Sequence, residues 1–207
     1  LSTLVAIEAW KNAGLAEEDS SSMGIVVGGH SLASSYEFGL REKFDASPHH
    51  LPPSYAVHLM DTDHVGILSD LFQIHGPGFT VGGASASGQM AIIQAANLIR
   101  LGDVERCLVV GPLADLNPMA LQSFESMGAL GGHDYSQKPH EASRPFDDER
   151  NGFIFSQACG AIILESNASC SSSGRSSIGY LSGCGIYLDA TALPSPSANG
   201  EAAGMEL

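Results

Sequence analysis

The sequence predicts a layered α/β fold built around a mixed sheet. Short apolar, β-branched runs that close on glycine alternate with helix-patterned stretches across the first 115 residues. After that, strand-like runs follow one another without intervening helices. A third observation is residues 89–101, where Met90, Ile92, Ile93, Ala95, Ala96, Leu98 and Ile99 cover most of a helix's circumference. Such a helix is expected to be buried nearly all round, as between layers.

Residues 1–13 place Leu4, Ile7 and Trp10 near helical spacing and stop at Gly14, a residue that readily ends helices. Met23 to Val27 is a short apolar run closing on Gly28-Gly29, which reads as a strand entering a turn. In residues 53–75, Asp61 and Asp63 are candidate caps for a helix over VGILSDLFQI, broken by Gly76-Pro77-Gly78. Phe79 to Val81 predicts a short buried strand, residues 82–88 a tight turn, and residues 89–101 the buried helix, ending at Gly102. Arg106 to Gly111 predicts another buried strand, and Asn117-Pro118 a helix start with proline at its first position. Residues 130–151 predict a polar loop. Residues 158–165 and 178–187 predict two further strands, joined by a Ser-rich surface linker over 169–177.

The chain has 207 residues, 43% of them hydrophobic, enough for one substantial core. Its formal charge is −14, from nine Lys and Arg against twenty-three Asp and Glu. That argues against a nucleic-acid or anionic-membrane surface and disfavours acidic partners unless the basic residues cluster. No apolar run reaches the roughly 18 residues of a membrane span. Cys107, Cys159, Cys170 and Cys184 show no C-x-x-C spacing, which fits reduced thiols in a reducing cytoplasm. The sequence opens without Met in helical pattern and closes at Gly204-Met205-Glu206-Leu207, so a fragment of a longer protein is expected.

The stretch Gly76 to Leu101 concentrates the chemistry: strand, glycine turn, Ser85, then a long helix. The first N–H groups of a helix lack intrahelical partners and sit at the positive end of its dipole, so an oxyanion beside Ser85 would be stabilised there. Gly82, Gly83, Ala84, Ala86 and Gly88 let backbone and substrate approach closely. The structural alternative is a tight turn in which Ser85 or Ser87 merely caps the helix. A hydrolase elbow G-x-S-x-G is a weaker match, because Ser87 stands at its second glycine. Gly28-Gly29 lacks the rest of a dinucleotide-binding G-x-G-x-x-G.

The run Gly76-Pro77-Gly78-Phe79-Thr80-Val81-Gly82-Gly83-Ala84-Ser85-Ala86-Ser87 resembles the active-site segment of β-ketoacyl synthases, G-P-S-x-T-V-D-T-A-C-S-S. Arg144-Pro145-Phe146-Asp147 through Arg150 to Phe153 resembles that family's R-P-F-D-x-x-R-x-G-F, and Gly160 to Glu165 the strand after it. Gly183 to Ala190, Pro196 to Gly200 and Met205 resemble the stretch between the family's two halves. The resemblance implies a thiolase-like layered α/β fold, with residues 1–207 a partial N-terminal domain lacking the first strand and the C-terminal half. It implies a homodimer, a substrate carried on the phosphopantetheine arm of an acyl carrier protein, and no bound cofactor or metal. Phe124 then falls at the position lining the acyl pocket, where it can equally serve as a core aromatic of its helix, and Ala84, beside the reacting residue, is a candidate substrate-binding residue. The family's two histidines and lysine would lie outside this chain, and none of its eight histidines matches them. Arg144, Asp147 and Arg150 are expected to form a structural loop network.

The departures are chemically specific. Cysteine becomes Ser85 and Asp-Thr becomes Gly82-Gly83, while the G-E-G-A-G turn becomes Ser156 to Gly160. A serine hydroxyl needs a dedicated base to become nucleophilic, whereas a cysteine needs little help. Loss of carbon dioxide from a malonyl thioester needs only a site that stabilises the enolate. The GGASASG form resembles serine-bearing decarboxylases of polyketide β-branching cassettes, which turn malonyl-carrier protein into acetyl-carrier protein. The alternatives are a condensing synthase acylated on Ser85, a catalytically silent partner subunit, and a serine hydrolase.

Overall fold

The computed structural model describes residues 1–188. The chain divides into a unit spanning Leu1–Ser173 and a second beginning at Gly174.

The first unit is a four-stranded sheet of β1 (Gly24–Gly28), β2 (Gly78–Val81), β3 (Arg106–Gly111) and β4 (Gly160–Glu165), in the order β2-β1-β3-β4. The pairs β1–β2 and β1–β3 are parallel, and β3–β4 is antiparallel. The parallel centre explains why β1 and β3 read as continuous apolar runs, since helices cover both their faces. Along β1, Ile25 and Val27 point to one side and Val26 to the other; along β3, Leu108 and Val110 oppose Cys107 and Val109. The first side packs on Ala6 and Trp10 of α1 (Ser2–Asn12) and Leu68 of α4 (Asp63–Phe72). The second packs on Ala91 and Ala95 of α5 (Ser87–Leu101). Each buried Val, Leu or Ile contributes roughly 1.5–3 kcal/mol through removal from water. Trp10 stacks on Phe72 at 4.4 Å and donates its indole N–H to the Leu15 carbonyl, closing the turn after α1.

Cys107 is fully buried on the α5 side, and burial pushes its thiol up to about 12. Cys107 and Cys159 are free thiols. No described helix is long and apolar enough to cross a membrane.

Several elements differ from expectation. α5 is not buried all round: Ser87, Ala91, Ala95 and Ala96 are fully buried, while Ile92, Ile93, Leu98 and Ile99 are half-buried. One side lies on β1 and β3, and within the unit no layer covers the other. Asp61 and Asp63 do not cap α4; its N-cap is Thr62, without a side-chain bond. Asp61 instead accepts from the N–H groups of Ser31 and Leu32, and Asp63 pairs with the His58 ring at 2.8 Å. The helix α2 (Ser34–Ala46) was not foreseen, because it buries only Leu40 and so shows little apolar periodicity. A four-residue helical turn, α3 (Tyr55–His58), follows it. The predicted 169–177 linker begins as α7 (Asn167–Ser173). The predicted strand over 178–187 is absent: these residues are irregular, with Ile178 and Tyr180 largely exposed. An apolar run becomes a strand only with a neighbour to complete its hydrogen bonds, and no described strand pairs with it. The resemblance noted over Asp189-Ala190, Pro196–Gly200 and Met205 lies outside the described residues.

Candidate functional site

The carboxyl ends of β1 and β2 meet at one edge of the sheet, where Gly28 pairs with Val81 and the Gly29 N–H donates to the Val81 carbonyl at 2.9 Å. The connection from β1 to β2 runs through α4 on one face, and that from β2 to β3 through α5 on the other. Ligands in open α/β sheets bind where successive connections diverge in this way. Ser85 sits there, exposed, in a 3-10 turn (Ala84–Ala86) that runs directly into α5.

Two close approaches fix this turn. A Cβ on Gly28 would lie 2.3 Å from the Ser87 carbonyl oxygen, so glycine lets the first turn of α5 rest on the end of β1. A Cβ on Gly83 would lie 2.7 Å from Met90 Cγ, so the threonine of the synthase motif would have to displace Met90. Ala84, beside Ser85, has φ 48°, the left-handed region that an L-residue enters at a cost of about 1–2 kcal/mol. Ser87 is buried and ties the turn together. Its hydroxyl donates to the Ala84 carbonyl at 2.7 Å and accepts from the Gly83 N–H at 2.9 Å.

The N–H groups of Ala84 and Ser85 have no acceptor among the described residues, as expected where a helix starts. The Ser85 hydroxyl likewise bonds to no described side chain. The described residues therefore offer oriented N–H donors at a helix start and no base poised on the serine.

The surrounding loops are cross-linked. Thr80 donates to the Asp61 carbonyl at 3.2 Å, while the Asp61 carboxylate holds the Ser31 and Leu32 N–H groups at 2.9 and 2.8 Å. Asp115 accepts from the Ser35 N–H, and Asn117 donates to Ser34. Asn117 also caps α6 (Pro118–Ser126) by accepting from the Ala120 N–H, with Pro118 at the first position as the sequence indicated. His30, read from sequence as without catalytic role, flanks the glycine pair: a Cβ on Gly82 would lie 3.7 Å from His30 Cβ. Only its position just after the β1 glycines could have hinted at this. The roles of Asp61 and Asp115 had no sequence signal, because their partners are about 30 and 80 residues away.

Phe124 lies on α6, half-buried, its ring edge-on to Phe153 at 5.3 Å. No described interaction joins it to the Ser85 turn, whereas Ala84 belongs to that turn. Arg144 donates to the Tyr135 hydroxyl at 2.6 Å and to Glu149 at 3.2 Å, and lies over the Tyr135 ring. Arg150 donates to the Asp147 carbonyl. These contacts bind the 130–151 loop to itself.

Residues 1–169 match the family model described as the β-ketoacyl synthase N-terminal domain. The chain belongs to the β-ketoacyl synthase family. Among curated relatives, it is 40% identical over 194 residues to the polyketide biosynthesis malonyl-ACP decarboxylase PksF of Bacillus subtilis (strain 168), covering 94% of this chain and 47% of that protein. It is 28% identical over 189 residues to a 3-oxoacyl-[acyl-carrier-protein] synthase 2 of Rhizobium meliloti (strain 1021), covering 90% and 44%. The chain thus spans about half the length of these relatives. The solved AntDE:AntF complex, a type II PKS acyl-carrier protein with its ketosynthase, superposes with TM-score 0.72 at 23% identity, over 83% of this chain and 44% of that one. A β-ketoacyl synthase from Burkholderia phymatum STM815 gives 0.67 at 22% identity, over 84% and 43%. These superpositions establish the thiolase-like fold, and the family model places the chain in the N-terminal half.

Proposed function

We propose that the protein carrying this chain decarboxylates malonyl-carrier protein to acetyl-carrier protein in polyketide biosynthesis. The observation that carries this reading is Ser85, standing for the family cysteine at the head of α5, with no base on its hydroxyl and an unpaired N–H beside it among the described residues. The 40% identity to a malonyl-ACP decarboxylase supports it. In the reaction, the bond between the malonyl α-carbon and its carboxylate breaks, and carbon dioxide leaves. The electron pair flows into the thioester, placing negative charge on the carbonyl oxygen, where the Ser85 N–H donates. A proton then adds to the α-carbon. No enzyme nucleophile takes part, and the thioester to the phosphopantetheine arm is never broken. The protein acts as a homodimer in a reducing cytoplasm, a setting that the free thiols of Cys107 and Cys159 fit.

Removing the serine side chain tests this without touching the backbone. Ser85→Ala in the full-length protein is expected to retain carbon dioxide release from malonyl-carrier protein within about tenfold of wild type, since at most one hydrogen bond is lost. Complete loss in a folded variant would mean that the hydroxyl is acylated or otherwise indispensable.

A further inference from the structure

We infer that Ser87 is the positioning residue of the site, holding the peptide unit whose N–H faces the developing oxyanion. The inference rests on reading Ser85 as the reaction centre. The Ala84 carbonyl and the Ser85 N–H belong to one peptide plane, and in a trans peptide they point in opposite directions. Ser87 grips that carbonyl twice, through its own N–H and through its hydroxyl at 2.7 Å. With the oxygen held inward at the helix start, the Ser85 N–H is aimed away from it, into the open edge of the sheet.

The same hydroxyl accepts from the Gly83 N–H, so it clasps both ends of the strained Ala84, whose φ of 48° would otherwise relax and rotate this plane. Donation into the carbonyl also polarises the amide and strengthens its N–H as a donor. Ser87 and Ser20 are the buried polar side chains of the described core, and Ser87 spends its hydrogen bonds entirely within this turn. Its place two residues past Ser85 suggested at most a cap.

The test uses the full-length protein and two independent readouts. Ser87→Ala is expected to lower kcat for malonyl-carrier protein decarboxylation tenfold to about a hundredfold, below the loss seen when a whole oxyanion donor is removed, with KM within about twofold. If Ser87→Ala does not fold, Ser87→Cys carries this arm, since it keeps the volume and loses the strong hydrogen bonds. The second readout is the pH profile of alkylation of the thiol introduced by Ser85→Cys. Adding Ser87→Ala is expected to move that profile to higher pH and slow alkylation at pH 7 several-fold, because the thiolate loses its aligned donor. Wild-type kcat in a folded Ser87 variant, or an unmoved alkylation profile, would overturn the inference. Absence of decarboxylation in the unmutated protein would instead sink the proposed function, leaving the alkylation profile to judge Ser87.

Discussion

Gly28→Ala is expected to lower the melting temperature by about 10 °C and to abolish activity, the largest effect of any single methyl group added near the site. The added Cβ would sit 2.3 Å from the Ser87 carbonyl oxygen, 2.8 Å from its carbonyl carbon and 3.0 Å from Ala91 Cβ. Two of these are backbone atoms of α5, so no rotamer change relieves the clash. Either β1 or the start of α5 must shift. Overpacking of this kind costs about 3 kcal/mol at the upper end of its range, and about 3 °C is lost per kcal/mol in a protein of this size or somewhat larger. Activity should suffer more than stability, since the helix start that moves carries Ser85 and Ser87. Gly66→Ala is the matched control: it lies in α4 with nothing within 4 Å of an added Cβ. There alanine should stabilise by about 0.5–1 kcal/mol. Thermal melts of the two variants decide the matter, and an unshifted melt for Gly28→Ala would show that α5 is not seated on β1.

Ser85→Cys is the second large effect, and it is a gain. A thiol at the head of α5, beside unpaired N–H groups, should ionise more readily than an ordinary cysteine and react with iodoacetamide at pH 7 about tenfold faster than a free exposed thiol. Cys107 adds nothing to the readout, being fully buried with its thiol pushed up to about 12, and the unmutated protein gives the background from Cys159, Cys170 and Cys184. An acyl-enzyme should also become detectable by intact mass when the variant meets an acyl donor. Failure of the new thiol to react in a folded variant would mean that the helix start is not the activating environment described above.

The legible parts of the molecule were those whose local chemistry and tertiary surroundings agree. β1 and β3 are parallel, covered on both faces, and therefore read as unbroken β-branched runs closing on glycine. α5 was found from its apolar residues, and its end from Gly102, which adopts φ 80°. Its full burial was misjudged because periodicity shows how apolar a surface is, without showing how much of it a given chain covers. α2 escaped for the opposite reason: a helix that buries one leucine leaves almost no periodic trace.

The site divides along the same line. Ser85 stood out because a motif of consecutive residues surrounds it. Asp61, by contrast, anchors residues 29 and 30 positions away, and Ser87 acts through a carbonyl that only the folded turn brings to it. The run over 178–187 has the composition of a strand and lacks a partner among the described strands, so composition alone misled there.

The central claim is most directly tested by intact-mass spectrometry of malonyl-carrier protein incubated with the full-length protein, with and without an acyl-primed carrier. The account predicts loss of carbon dioxide to give acetyl-carrier protein in both reactions, with no elongated product. An elongated β-ketoacyl product, or malonyl-carrier protein left unchanged, would contradict it: the first by showing a condensing enzyme despite Ser85, the second by pointing to a silent subunit.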